Sequence, residues 1–148
     1  MKSLHTPDYS LWQNFLLLAA RVLMGWLFVE AGWRKLFAMD GFIQSLTTRR
    51  VPYASVMGWI GALVEFLGGL AILLGAWTRC AAIAMIVFVA IATLIGHRYW
   101  ELTDLAVRRM QQSHFAKNLT IIGGLILLFV TRGGRFSFDG RWRRRGRA

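Results

Sequence analysis

The chain has 148 residues, 56% of them hydrophobic, a single cysteine (Cys80), and a formal charge of +11 from 18 Lys and Arg against 7 Asp and Glu. One cysteine excludes a disulfide framework, a four-thiolate zinc site and an intrachain dithiol redox motif. The apolar excess falls in long runs and the basic residues lie between and after them, which argues for one membrane domain and against nucleic-acid binding.

Four runs are long enough to matter, and they predict an all-α fold, an integral membrane four-helix bundle with antiparallel spans, because a lone segment in lipid must satisfy its own backbone. The first covers about 11–36 and is interrupted by Arg21 and Glu30. It is too long for the apolar core of a cleaved leader, so none is expected. Residues 37–55 read as a loop carrying Arg49, Arg50 and Pro52. The second run covers 56–77 and the third 81–99, and the turn at Thr78-Arg79-Cys80 makes them an antiparallel hairpin. Cys80, beside two alanines, reads as a packing residue.

Residues 100–114 carry apolar side chains at 102, 105, 106 and 110, close to helical spacing. A short interfacial helix between spans three and four is expected there. The fourth run, 115–131, is near the lower limit for a span. A basic tail, 132–148, follows. Trp12, Trp33, Trp59, Trp77 and Trp100 all fall near predicted span ends, as an aromatic belt requires, and Trp26 alone lies mid-span.

With four spans, both termini and the 78–80 turn share one side of the membrane. That side carries nine Lys and Arg and the other eight, so the count alone decides nothing. The density of arginine at Arg141, Arg143, Arg144, Arg145 and Arg147 favours cytoplasmic termini. The tail reads as a solvated, lipid-attracted segment.

Polar residues inside the spans mark where chemistry or packing is concentrated. In span one, Arg21, Gly25, Phe28, Gly32 and Lys35 recur at helical spacing on one face. In span two, Gly58, Gly61, Glu65, Gly68, Ile72 and Gly75 do the same. Gly25, Gly32, Gly61, Gly68 and Gly75 are therefore candidate helix-packing positions, because glycine lets backbones approach closely in lipid. Arg21 and Glu65 each lie about nine residues, roughly 13 Å, from opposite surfaces of a core of roughly 30 Å. A buried Arg21–Glu65 pair is the expectation. Glu30 points to the opposite face and can pair with Arg34 at i+4. A second cluster, Lys35, His97, His114 and Lys117, gathers at one membrane surface by topology, with Glu101 and Asp104 in the loop on that side. No metal site is expected from it.

The order Arg21-x3-Gly25-x2-Phe28-x3-Gly32-x2-Lys35-Leu36 resembles the first helix of DoxX-type membrane proteins. So does the run from Glu65 through Gly68-Gly69 and Gly75 to Thr78-Arg79. His97, the Lys117-Asn118-Leu119 segment before Gly123-Gly124, and the closing Gly133-Gly134-x2-Ser137-x-Asp139 fit the same pattern. The resemblance covers about residues 18–140. Glu30, Trp33 and the polyarginine end depart from the pattern. The resemblance implies a bacterial inner-membrane bundle of four helices, in some relatives linked to quinone-coupled sulfur oxidation or to membrane-bound redox-protective complexes. No catalytic residue transfers with it.

Two classes of function follow. One is a quinone-linked subunit of a membrane redox complex, with Arg21 donating to a quinone carbonyl and Glu65 handling a proton. Its electrons would come from a partner protein, since the chain shows no flavin, haem or iron–sulfur signature and no intrinsic cofactor is evident. The other is a non-enzymatic scaffold or assembly partner in the bilayer. A small-solute permease is a third reading.

Overall fold

The computed structural model describes residues 9–145, and the side chains of 9–142. Lys2, Arg147 and the side chains of Arg143, Arg144 and Arg145, which enter the orientation argument, lie outside the described residues. The described chain folds into α1 (Leu11–Phe37), α2 (Met39–Thr48), α3 (Ala54–Leu74), α4 (Thr78–Gly96), a 3-10 turn (Tyr99–Glu101), α5 (Leu105–Thr131) and α6 (Phe138–Arg145). Among the described residues all regular structure is helical. α1, α3, α4 (with the turn that follows it) and α5 are long and apolar enough to cross a bilayer.

Helix ends follow local chemistry. α1 starts on a capping box, in which the Ser10 hydroxyl accepts from Gln13 N and the Gln13 carboxamide accepts from Ser10 N. Asp104 caps α5 by accepting from Val107 N at 2.9 Å. α3 stops at Gly75, which adopts φ +68°, a left-handed conformation that favours glycine.

Three connections differ from the sequence expectation. The turn between α3 and α4 falls at 75–77, and Thr78, Arg79 and Cys80 open α4 rather than form the turn. The 37–55 segment is not a loop throughout: it contains α2, whose Met39, Ile43 and Leu46 lie against Gly58 of α3. Between α4 and α5 the short helical piece is the 3-10 turn, and the 105–114 stretch runs straight into α5. The fourth span is therefore 27 residues long.

α1 and α3 form the tightest pair. A methyl group added at Gly25 would lie 2.7 Å from Leu73 N, at Gly32 2.6 Å from Phe66 N, and at Gly69 2.7 Å from Val29 N. The two backbones are in direct contact there, as small residues permit in lipid. Gly25 and Gly32 thus lie at the contact between α1 and α3. On α3 the close-contact glycine is Gly69. Gly68 instead faces Met85 of α4, and Gly61 makes only an ordinary contact with Phe88 at 3.8 Å. Phe28, Ile72, Met85, Val89, Leu125 and Leu128 close the core between the four spans.

Candidate functional site

The glycine contacts fix a register. Gly25 lies opposite Leu73, the Phe28–Val29 step opposite Gly69, and Gly32 opposite Phe66. Continued along the antiparallel pair, this register puts Arg21 just beyond the end of α3. Glu65 lies about twelve residues, roughly 18 Å, from that level. Lys35, by contrast, falls within a turn of Glu65. The expected Arg21–Glu65 pair accordingly does not form. The two spans do not start level at the membrane surfaces; they are offset along the bundle. α1 overshoots α3 at the end where the chain termini lie, and α3 overshoots α1 at the other end, where α2 covers it.

Glu65 pairs with Lys35 through Oε2 and Nζ. The Glu65 side chain is 9% exposed and that of Lys35 31% exposed. The Lys35 ammonium also lies 5.3 Å from the centroid of the Phe42 ring on α2, within cation–π range. Glu30 and Arg34 form the expected i+4 bridge at 2.8 Å on the exposed side of α1.

Arg21, 2% exposed, is held by the tail. Its Nη1 donates to Gly133 O at 2.7 Å and its Nη2 to Phe136 O at 3.3 Å. The guanidinium lies against Gly75, where a cation complements the negative end of the α3 dipole. The tail is fixed at further points. Asn14 Oδ1 accepts from Arg135 N at 2.6 Å, and Phe15 packs on Phe136 at 4.9 Å between centroids. Asp139 accepts from Trp77 N, Thr78 N and the Thr78 hydroxyl, each at 2.8 Å, placing an anion at the positive end of α4. Residues 133–139 therefore form a clasp across the end of the bundle, with Arg21 and Asp139 as its two charged anchors. Asn14, 4% exposed, was not singled out from the sequence. It lies one heptad before Arg21 on the same α1 face, and that spacing was the available signal.

Of the expected surface cluster, three members meet. The His97 and His114 rings stack at 5.3 Å, and Lys117 Nζ lies 3.5 Å from His114 Nδ1. His97 Nδ1 contacts Gln111 Oε1 at 2.7 Å. One turn deeper, Asn118 donates to the Thr93 hydroxyl at 2.9 Å, tying α5 to α4. Lys35 is engaged by Glu65 instead. No group of three or more metal-ligating side chains occurs among the described residues.

A concave feature among the described residues lies elsewhere. A groove of about 410 Å3 runs between α1 and α5, lined along α1 by Gln13, Leu16, Leu17, Ala20 and Met24 and along α5 by Gly124, Leu127, Leu128 and Thr131. Its volume is within the range of small-molecule sites, about 300–1,000 Å3. Its polar lining, Tyr9, Gln13 and Thr131, is confined to the end nearest the clasp.

Four apolar spans, a backbone-to-backbone glycine contact and internally paired charges define a polytopic membrane bundle. The DoxX family model matches residues 16–98, and the chain belongs to that family. It is 31% identical over 141 residues to inner membrane protein YphA of Escherichia coli (strain K12), covering 95% of this chain and 100% of that protein. It is 37% identical over 122 residues to inner membrane protein YqjF of the same organism, covering 82% and 88% respectively. No solved structure matches the chain.

Proposed function

We propose that the chain is a non-enzymatic scaffold or assembly subunit of the bacterial inner membrane, with both termini on the cytoplasmic side. The names of YphA and YqjF, as inner membrane proteins, support the location. The observation that carries the scaffold reading is the commitment of the interior charges to partners within the chain. Glu65 is paired with Lys35, Arg21 is bound through its two Nη atoms by tail carbonyls while its buried Nε has no hydrogen-bond partner, and Asp139 is satisfied by the start of α4. Groups used this way lock elements together.

The test is functional rescue of a strain lacking the gene. The double variant Lys35→Met with Glu65→Gln removes both charges of the pair while keeping similar volumes. On this reading it accumulates in membranes and restores the strain. A double variant that folds but fails to restore it assigns the pair to chemistry and overturns the reading.

A second reading is a quinone-linked subunit of a membrane redox complex, fed with electrons by a partner protein. The α1–α5 groove favours it, since a quinone needs an apolar slot with a few polar groups at one end. The residues first expected to serve it, Arg21 and Glu65, are engaged elsewhere, so Gln13 and Thr131 would take that role. Solvent extraction of the purified protein decides: about one quinone per chain supports this reading, and no quinone retained under mild detergent counts against it.

A further inference from the structure

The α1–α5 groove has a length, a narrowed inner end and a charged mouth, and together these point to an occupant. Along α1 it extends from Gln13 to Met24, about 16 Å at 1.5 Å per residue. That is close to half of a hydrocarbon core of roughly 30 Å, the depth of a single leaflet. Its inner end is narrowed, because the Met24 methyl lies against Gly124. A flexible side chain from α1 and a bare position on α5 thus mark the inner limit of the groove near the membrane midplane. Its wall is aliphatic until the last turn, where Tyr9, Gln13 and Thr131 appear.

The mouth borders the first part of the clasp. Arg132 follows Thr131 directly. A Cβ on Gly134 would lie 3.1 Å from the Leu17 side chain, which itself lines the groove. Arg135 comes next, its backbone N held by Asn14 and its side chain exposed. Asn14 neighbours Gln13 on α1, so this hydrogen bond fixes the arginine's backbone beside the groove's outer end. Arg141, also exposed, is on α6 at the same end of the molecule. An apolar slot one leaflet deep beneath a cationic rim matches a molecule with an alkyl chain and an anionic head. Basic residues at a membrane surface attract anionic headgroups.

We infer that the groove is a binding site for an anionic phospholipid of the leaflet on the side of the chain termini, with one acyl chain between α1 and α5 and the phosphate at Arg135. The site is independent of the scaffold reading. A neutral prenylquinone is the competing occupant, and it can take a hydrogen bond from the arginine but no ionic attraction.

The experiment is native mass spectrometry of the delipidated full chain, titrated in separate arms with phosphatidylglycerol, phosphatidylethanolamine and ubiquinone. Phosphatidylglycerol is expected to bind at one per chain, at least about fivefold more tightly than phosphatidylethanolamine. Arg135→Gln removes an exposed charge and should erase that preference while leaving thermal stability unchanged. Ala20→Trp fills the groove and should abolish binding of either lipid. Arg108→Gln, at the opposite end of the molecule, should have no effect. Equal binding of the two phospholipids overturns the inference, as does retention of the preference in Arg135→Gln. Ubiquinone binding more tightly than phosphatidylglycerol overturns it in favour of the quinone occupant.

Discussion

Gly32 has no side chain because Phe66 leaves no space for one: an added Cβ would meet the Phe66 backbone at 2.6 Å. Backbone cannot swing away as a side chain can, so the two helices must separate. Gly32→Ala should cost about 1–3 kcal/mol, the usual range for overpacking. Gly123→Ala, where nothing lies within 4 Å, should stay within about 0.5 kcal/mol of the parent. Thermal unfolding in detergent measures both, and equal midpoints would refute the backbone contact. Gly69→Ala should likewise exceed Gly68→Ala, because Gly69 meets the backbone at Phe28 and Val29 whereas Gly68 meets the flexible thioether of Met85. The spacing in α1 was enough to find Gly25 and Gly32. In α3 two glycines stand side by side, about 100° apart around the helix. Periodicity supports either as the contact face, and only the position of α1 chooses Gly69.

At the scale of elements, the clasp is the least expected feature. Its residues Ser137 and Asp139 stood out only through resemblance, since a short polar tail has no periodicity to read. Their role appears when three distant segments meet. Arg21 from α1, the turn Gly75–Thr78 and the stretch 133–139 all converge at one end of the bundle. Asp139→Ala removes a carboxylate that accepts three hydrogen bonds. Hydrogen bonds to a charged group contribute about 1.5–3 kcal/mol each, and water replaces part of that at a half-exposed site, so a net loss of about 2 kcal/mol is expected. The tail should also open. Limited trypsin digestion at Arg135 and Arg141 should run several-fold faster in Asp139→Ala than in the parent. Unchanged cleavage would show that the tail is held by other contacts. α2 is legible in the spacing of Met39, Ile43 and Leu46, but the same 37–55 segment carries Arg49, Arg50 and Pro52, whose chemistry is that of a loop.

For the whole molecule, span number came directly from hydropathy, because lipid forces each apolar segment to be a helix, whereas the start of the fourth span lies ten residues before the apolar run. Relative depth did not come from hydropathy either. Counting inward from the surface assumes that all spans start level, and α1 and α3 are offset. That offset moves Arg21 out of reach of Glu65 and brings Lys35 into it. Topology gives a separate prediction. A reporter fused after Arg147 should read as cytoplasmic and one inserted in the 49–53 connection as periplasmic. The opposite pattern would overturn the proposed orientation and leave the packing untouched.

The offset register is the central claim, and a pair of double-mutant cycles tests it most directly. Lys35→Met strands a buried carboxylate and should cost about 3–5 kcal/mol. Glu65→Gln should cost less, because the Lys35 side chain, 31% exposed, can extend towards the interface. Combined, the two changes should cost less than their sum by at least about 1 kcal/mol, the signature of residues in contact. The parallel cycle of Arg21→Met with Glu65→Gln should be additive within about 0.5 kcal/mol, as for separated sites. Coupling between Arg21 and Glu65, with none between Lys35 and Glu65, would contradict the register.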